Sequence, residues 1–142
     1  MAKVDPQDLY DGLRQRGVPH AHAMGILANM QAESGFDAGI QERGAKRGRG
    51  GYGLCQWTGP RRRALERFAA RHKAEVSDWR LQLDYLMTEP DTARYLARRL
   101  PTGDGATEWF CRYWERPARC NLKTRLGYLA ALARRLITTP DR

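Results

Sequence analysis

Apolar residues recur along most of this chain at the three- and four-residue spacing of an α-helix, and one central stretch breaks that rhythm. Asp5-Pro6 followed by Asp8 reads as an N-cap, a first-turn proline and an acid at the positive helix end. Leu9 and Leu13 then share a face, and Gly17 ends the helix. A second predicted helix runs from about Pro19 to Ser34, with Ala23, Ile26, Leu27 and Met30 on its apolar face and Gly35 as its stop. Helical patterning returns between about Arg61 and Lys73, where Leu65, Phe68 and Ala69 point inward. Ser77 is a candidate cap for the next helix, which carries Trp79, Leu83 and Leu86 at i, i+4 and i+7. Two further helices are expected near Asp91 to Leu100 and Ala106 to Glu115, bracketed by Pro90, Pro101 and Pro117. The last is expected from Asn121, through Leu122, Leu126, Leu129, Ala133 and Leu136, and the closing Thr-Thr-Pro-Asp-Arg reads as a frayed tail.

The exception runs from Phe36 to Thr58. Five glycines between Gly44 and Gly53 disfavour a helix, and Tyr-Gly-Leu-Cys-Gln-Trp suits a short ribbon or turn. The expected fold is therefore mainly α, with a short irregular or β-ribbon insertion after the second helix. At 142 residues, with no internal repeat and no Gly/Ser/Pro-rich linker, residues 1–142 read as a single domain.

Composition narrows the class. A 42% hydrophobic chain with four Trp and six Tyr is not a disordered one. No apolar run is long enough to span a membrane, and the N-terminal "MAKVDPQDLYDGLRQRG" lacks the apolar middle of a secretory signal. The net charge of +9 is concentrated: residues 43–73 hold ten Lys/Arg against one acid, Glu66. Such a face suits a polyanion, whether nucleic acid, acidic lipid or an anionic cell-wall polymer. Cys55, Cys111 and Cys120 lack paired metal-ligand spacing, so buried free thiols are expected, a Cys111–Cys120 bridge being the alternative under oxidising conditions. His20 and His22 point to different helix faces, neither HExxH nor paired CxxC is present, and "GAKRGRGG" lacks the Lys-Ser/Thr ending of a phosphate loop. No metal or cofactor is expected.

One acid is out of place. Ile26, Met30 and Glu33 lie at offsets 0, 4 and 7, so Glu33 shares the core-facing stripe of the second helix and sits in its last turn. Lost hydration and the negative helix end both favour the protonated form, and that helix offers no cation to oppose them. Ala32, Ser34 and Gly35 leave room for a ligand beside the carboxyl. A carboxyl held neutral near pH 7 suits the expulsion of a poor leaving group such as a sugar oxygen.

The stretches "MGILANMQAESGF", "GYGLCQWTGPRRRALERFA" and "QLDYL", in that order, resemble the phage tail lysozyme family, and "ESGF" with "GLCQ" is similar to the ES…GL-x-Q pattern of lytic transglycosylases. The likeness is densest from His20 to Leu86, with "FCRYWERP" a later matching segment, and its core spans about residues 19–130. The resemblance implies a lysozyme-like domain that cuts the MurNAc–GlcNAc backbone of peptidoglycan, in a phage virion or in the host at the periplasm and cell wall, as a monomer or part of a phage particle. It implies Glu33 as general acid. It also implies a sugar-binding element at Gly53, Leu54 and Gln56, flanked by Tyr52 and Trp57 as stacking or core residues and by Ser34. Asp84 and Tyr85 are implied as scaffold, and Glu115 as paired with Arg116 or Arg119 in preference to facing the cleft. Glu42, nine positions after Glu33, is the candidate second acid, with Asp37 as its rival. A second acid implies hydrolysis to a reducing end; its absence implies a 1,6-anhydro product, as from a transglycosylase. The basic segment is expected to hold an anionic wall or outer-membrane surface. Its arginine–glycine tract also fits a nucleic-acid-binding module, a competing reading that leaves Glu33 unexplained and so is not expected.

Overall fold

The computed structural model describes residues 3–46 and 48–141. Among them are seven α-helices and one π-helix, wrapped around the second helix of the chain. Helix α1 (Pro6–Gln15) opens as its sequence dictates, with the Asp5 carboxylate accepting from the Gln7 N–H at 2.9 Å. Helix α2 (His20–Ser34) ends on Gly35 in the left-handed region, φ 60°. Every residue of α2 from His22 to Met30 is buried, which goes beyond the one apolar face expected of it. The reason is its position: α1, α6 (Gly103–Trp109) and α7 (Leu122–Arg135) all pack on it, and a helix covered on several sides is apolar all round. Gly25 is what lets its neighbours come so close. A Cβ there would stand 2.7 Å from the Tyr95 hydroxyl and 2.8 Å from Ala106.

Helix α3 (Pro60–Arg71) buries Leu65, Phe68 and Ala69 as the pattern predicts. Helix α4 (Trp79–Thr88) is capped by Asp78 and not by Ser77: the Asp78 carboxylate accepts from Arg80 N–H at 2.9 Å and Leu81 N–H at 3.4 Å. An ionised cap at a positive helix end outcompetes a hydroxyl one residue earlier. Helix α5 (Pro90–Ala97) stops three residues short of Leu100, because Arg98 is already extended. The helix expected to end at Glu115 divides into α6 and a π-helix (Phe110–Glu115) that closes on Arg116 in the left-handed region.

Two further expectations need correction. Cys111 and Cys120 are joined in a disulfide with Cα atoms 6.2 Å apart, while Cys55 is a buried free thiol. The bridge ties the π-helix to the start of α7. The C-terminal tail is not frayed through Asp141, the last described residue, Arg142 lying outside the described residues. Its Thr139 carbonyl accepts from Tyr10 Oη and Arg14 Nη2, and Asp141 caps α2 by accepting from the His20 N–H at 2.9 Å. That backbone N–H, then the Arg14 charge, holds the Asp141 carboxyl below its usual value.

The insertion forms isolated antiparallel bridges, Gln41 to Tyr52 and Tyr52 to Trp57, rather than a continuous ribbon. Its anchor is Gln82 of α4, a fully buried amide. Gln82 Oε1 accepts from Leu54 N–H at 3.0 Å, and its Nε2 donates to Ala38 O and Val76 O, both at 2.7 Å. Gly53 turns the chain at φ 78°, and a Cβ there would lie 2.8 Å from the Gln82 amide. No helix of the described residues is long and apolar enough to cross a membrane.

The Gly25→Ala protein is expected to lose about 1–3 kcal/mol from overpacking where α2 meets Tyr95 and Ala106. A lower urea midpoint with an unchanged slope is the measurement that checks it.

Candidate active site

Residues at four-residue steps along α2 build a polar rail inside the core: the Gly25 carbonyl, Asn29 and Glu33. Asn29 is fully buried and donates through Nδ2 to Gly25 O at 2.8 Å and to Thr107 O of α6 at 3.1 Å. Its Oδ1 accepts from Arg125 Nη1 at 2.8 Å, and Arg125 Nη2 reaches on to Glu33 Oε2, also at 2.8 Å. The Arg125 side chain keeps 6% of its exposure and Glu33 20%. The Glu33 carboxyl thus stands at the edge of the core, mostly covered but not sealed from solvent, and tied to a buried guanidinium. The cation missing from its own helix comes from α7, 92 positions along the chain.

A second carboxyl, that of Glu115, feels the charges of Glu33 and Arg125. Glu115 pairs with neither Arg116 nor Arg119; Arg116 instead holds Asp91 at 2.7 Å. The residue as a whole keeps some surface, yet its Oε2 is buried and has no hydrogen-bond partner. Burial first, and the negative charge of Glu33 second, push its carboxyl well above the ordinary glutamate value. The charges of Arg125 and Arg61 oppose both. Arg61 Nε donates to Glu89 Oε2 at 3.0 Å, its Nη1 donates to the Trp114 carbonyl at 3.0 Å, and its guanidinium lies 3.9 Å from the Trp114 ring centre. Glu89 accepts from the Trp57 indole N–H at 2.8 Å and is raised by burial, against the pull of Arg61.

The residues expected to line a sugar groove are mostly buried. Ser34 is buried, and its hydroxyl donates to Met30 O and to Leu54 O at 2.8 Å, stapling the end of α2 to the insertion. Leu54 and Trp57 are buried, Trp57 edge-on to Tyr85 and Trp114, so neither offers a face to a ligand. Gly53 is buried against Gln82. Tyr52 and Gln56 keep partial exposure; Arg62 sits over the Tyr52 ring at 5.0 Å, and Gln56 donates to Gly53 O at 3.0 Å. Glu42 is exposed, and its Oε1 accepts from the Gly51 N–H at 3.0 Å. Tyr85 packs against Trp57 and Asp84 pairs with Arg16, as scaffold residues do.

The described residues of the basic segment, which leave out Arg47, divide in two. Arg61 and Arg62 are structural, Arg62 being buried with Nη1 on Arg49 O at 2.8 Å. Arg43, Lys46, Arg49, Arg63, Arg67, Arg71 and Lys73 are exposed. Among the described residues no cluster of three His, Cys, Asp or Glu side chains is arranged to hold a metal ion. A cavity of about 710 Å³ lies where the tail docks on α1, lined by Arg14, Pro19, Thr139 and Asp141. Its rim holds the Arg14–Asp141 ion pair at 2.9 Å and none of the residues expected at the site.

The family model described as Phage tail lysozyme matches residues 6–135, nearly the whole chain. That description supports, in general terms, a peptidoglycan-degrading glycosidase acting in a phage or at a cell wall. No curated protein matches the chain.

The raised Glu115 sets a pH dependence of stability. Below the ordinary glutamate value both folded and unfolded chains hold this proton, and burial of the neutral acid has no ionic cost. As pH rises from there through the raised folded value, the unfolded chain gives up the proton first and stability is lost. Glu115→Gln keeps the neutral shape at every pH. Urea unfolding at a series of pH values is expected to show the two proteins alike in acid, with the variant gaining over the native chain by up to about 1.4 kcal/mol per pH unit above it.

Proposed function

The chain belongs to the phage tail lysozyme family, and on that premise we propose that it cleaves the β-1,4 MurNAc–GlcNAc bond of peptidoglycan with Glu33 as general acid. The observation that carries this reading is the position of Glu33. It is a carboxyl at the end of the most buried helix, partly open to solvent and fixed by a buried arginine. A glycosidic oxygen is a poor leaving group until protonated, and a donor anchored at the rim of a rigid core can be aligned with it. Hydrolysis then needs a second carboxylate, as nucleophile or as base for water. Glu42 is the candidate: it is exposed, and the Gly51 N–H orients its carboxylate. A second reading, in which the muramyl 6-hydroxyl attacks and a 1,6-anhydro end results, draws on a different observation. The Glu115 carboxyl, pushed well above the ordinary glutamate value chiefly by burial and with its Oε2 closed to solvent, is a poor base for a solvent water. The exposed cations between Arg43 and Lys73 suit an anionic wall or outer-membrane surface, which would keep the enzyme near its polymer.

Glu33→Gln is expected to fold normally and to clear purified cell walls at least about 100-fold more slowly than the native chain, as the loss of a general acid requires. Equal clearing in a turbidity assay defeats the assignment. Mass spectrometry of the released fragments separates the two products, the anhydro form being lighter by one water.

A further inference from the structure

Two aromatic pairs stand side by side where α6 runs into the π-helix, and only one of them belongs to the core. Phe110 and Trp114, four positions apart, are fully buried and stacked with ring centres 4.5 Å apart. Trp109 and Tyr113 repeat that spacing one residue earlier, with ring centres 5.1 Å apart and planes at 51°. Yet Tyr113 keeps 52% of its exposure, and Trp109 is only part-buried. Together with Arg94, Ala97 and Arg98, at the end of α5, this outer pair lines a cavity of about 600 Å³. Concave aromatic surface carrying a few polar groups is what ligand sites are made of.

The floor of the groove is braced from beneath. Trp109 packs on Tyr95 with ring centres 5.5 Å apart, and the fully buried Tyr95 donates its hydroxyl to the His22 carbonyl at 2.6 Å. The buried His22 ring stands edge-on to Tyr95 and donates from Nε2 to the Arg98 carbonyl at 3.0 Å, which pins the end of α5 to α2. Both arginines of the groove are exposed, and none of its five lining residues is acidic. Asp91 is shared between Arg94 at 2.9 Å and Arg116 at 2.7 Å, and Glu108 is taken by Arg112 at 2.8 Å. Among the described residues no ion pair holds Arg98, and neither Arg94 nor Arg98 lies over the Trp109 or Tyr113 ring. The rigid rings and an unspent guanidinium are thus set for a ligand with an apolar face and a negative charge.

We propose that this groove is a second saccharide site, apart from Glu33, that holds a glycopeptide strand of peptidoglycan. A pyranose ring lies against Tyr113 and Trp109, and a stem-peptide carboxylate meets Arg98 with Arg94 beside it. The assignment rests on peptidoglycan as the polymer this chain acts on. A pyranose turns a face of C–H groups to an aromatic ring, and a guanidinium matches a carboxylate with two parallel hydrogen bonds. A single-stranded nucleic acid fits less well. Rings 5.1 Å apart already touch each other and admit no base between them, and two arginines make no track for a phosphate backbone. Tyr113 and Glu115, two positions apart on one π-helix, turn to different sides, the first into the groove and the second toward its buried Oε2. The groove therefore anchors a strand and takes no part in cutting it.

The probe is GlcNAc–MurNAc-tetrapeptide, a single disaccharide with no MurNAc–GlcNAc bond to cut. In ¹⁵N-tryptophan-labelled protein it is expected to shift the Trp109 indole resonance, identified by its loss in Trp109→Phe. Uncharged chitobiose is expected to bind there about tenfold more weakly, and Arg98→Ala to erase that difference. Tyr113→Ala is expected to weaken muropeptide binding at Trp109 by about tenfold and to raise the half-saturating wall concentration in clearing assays, with the maximal rate unchanged. A Trp109 resonance unmoved by millimolar muropeptide overturns the proposal, as do equal affinities for the two sugars. A shift produced by a single-stranded oligonucleotide and not by the muropeptide, or one that grows with protein concentration alone, overturns it too. Tyr113 and Arg98 are exposed, so both variants are expected to fold; should one fail, the native titration decides. Muropeptide binding at Trp109 in a chain that clears no walls upholds the groove and counts only against cleavage. Wall clearing with a silent Trp109 counts only against the groove.

Discussion

A buried guanidinium has to be answered by something, and the answer to Arg125 organises this molecule. Its side chain is 6% exposed and lies between Asn29 and Glu33, on the helix around which the others pack. Leaving such a charge uncompensated costs several kcal/mol, so α7 docks in the one register that puts Arg125 against both partners. Asn29 is held in turn by Thr107 of α6. Three helices are thereby locked by one polar chain inside an apolar core. Glu33, the proposed general acid, sits at its more open end.

The insertion is held by an equally local device. Among its described residues it has isolated bridges and no strand ladder, and its glycines resist regular structure. Gln82 replaces the ladder with side-chain hydrogen bonds to Leu54, Ala38 and Val76, and Ser34 ties the end of α2 to Leu54. The position of the insertion relative to Glu33 therefore depends on two buried polar side chains. Trp57 completes the support by packing below, its indole N–H spent on Glu89.

Much of this was legible in the sequence where the signal is local. Asp5-Pro6 and Gly35 mark helix ends within a turn, and Glu33 is visible as an acid on an apolar stripe because one helix period contains the whole pattern. What escaped is what lies far apart in the chain. The partner of Glu33 is 92 residues away, among basic residues that look alike in sequence. Glu115 reads as one acid between arginines until the π-helix and the disulfide show which way it turns. Trp57 was open to two readings, since an aromatic in a glycine-rich stretch serves a groove or a core equally well, and only packing decides. The tail looked free because its hydrogen bonds are to α1 and the start of α2, at the far end of the chain.

The π-helix at Phe110–Glu115 has a meaning for how this sequence can change. Such a turn holds one residue more than an α-turn, and its looser hydrogen bonding is why it is rare. Removing any one residue from it would relax the backbone into ordinary α-helix and, at about 100° per residue, swing everything downstream around the helix axis. Cys111 would then no longer face Cys120, and Glu115 would leave the company of Arg61 and Arg125. The surplus residue acts as a ratchet tooth: the count of residues here sets which side chains turn toward the core.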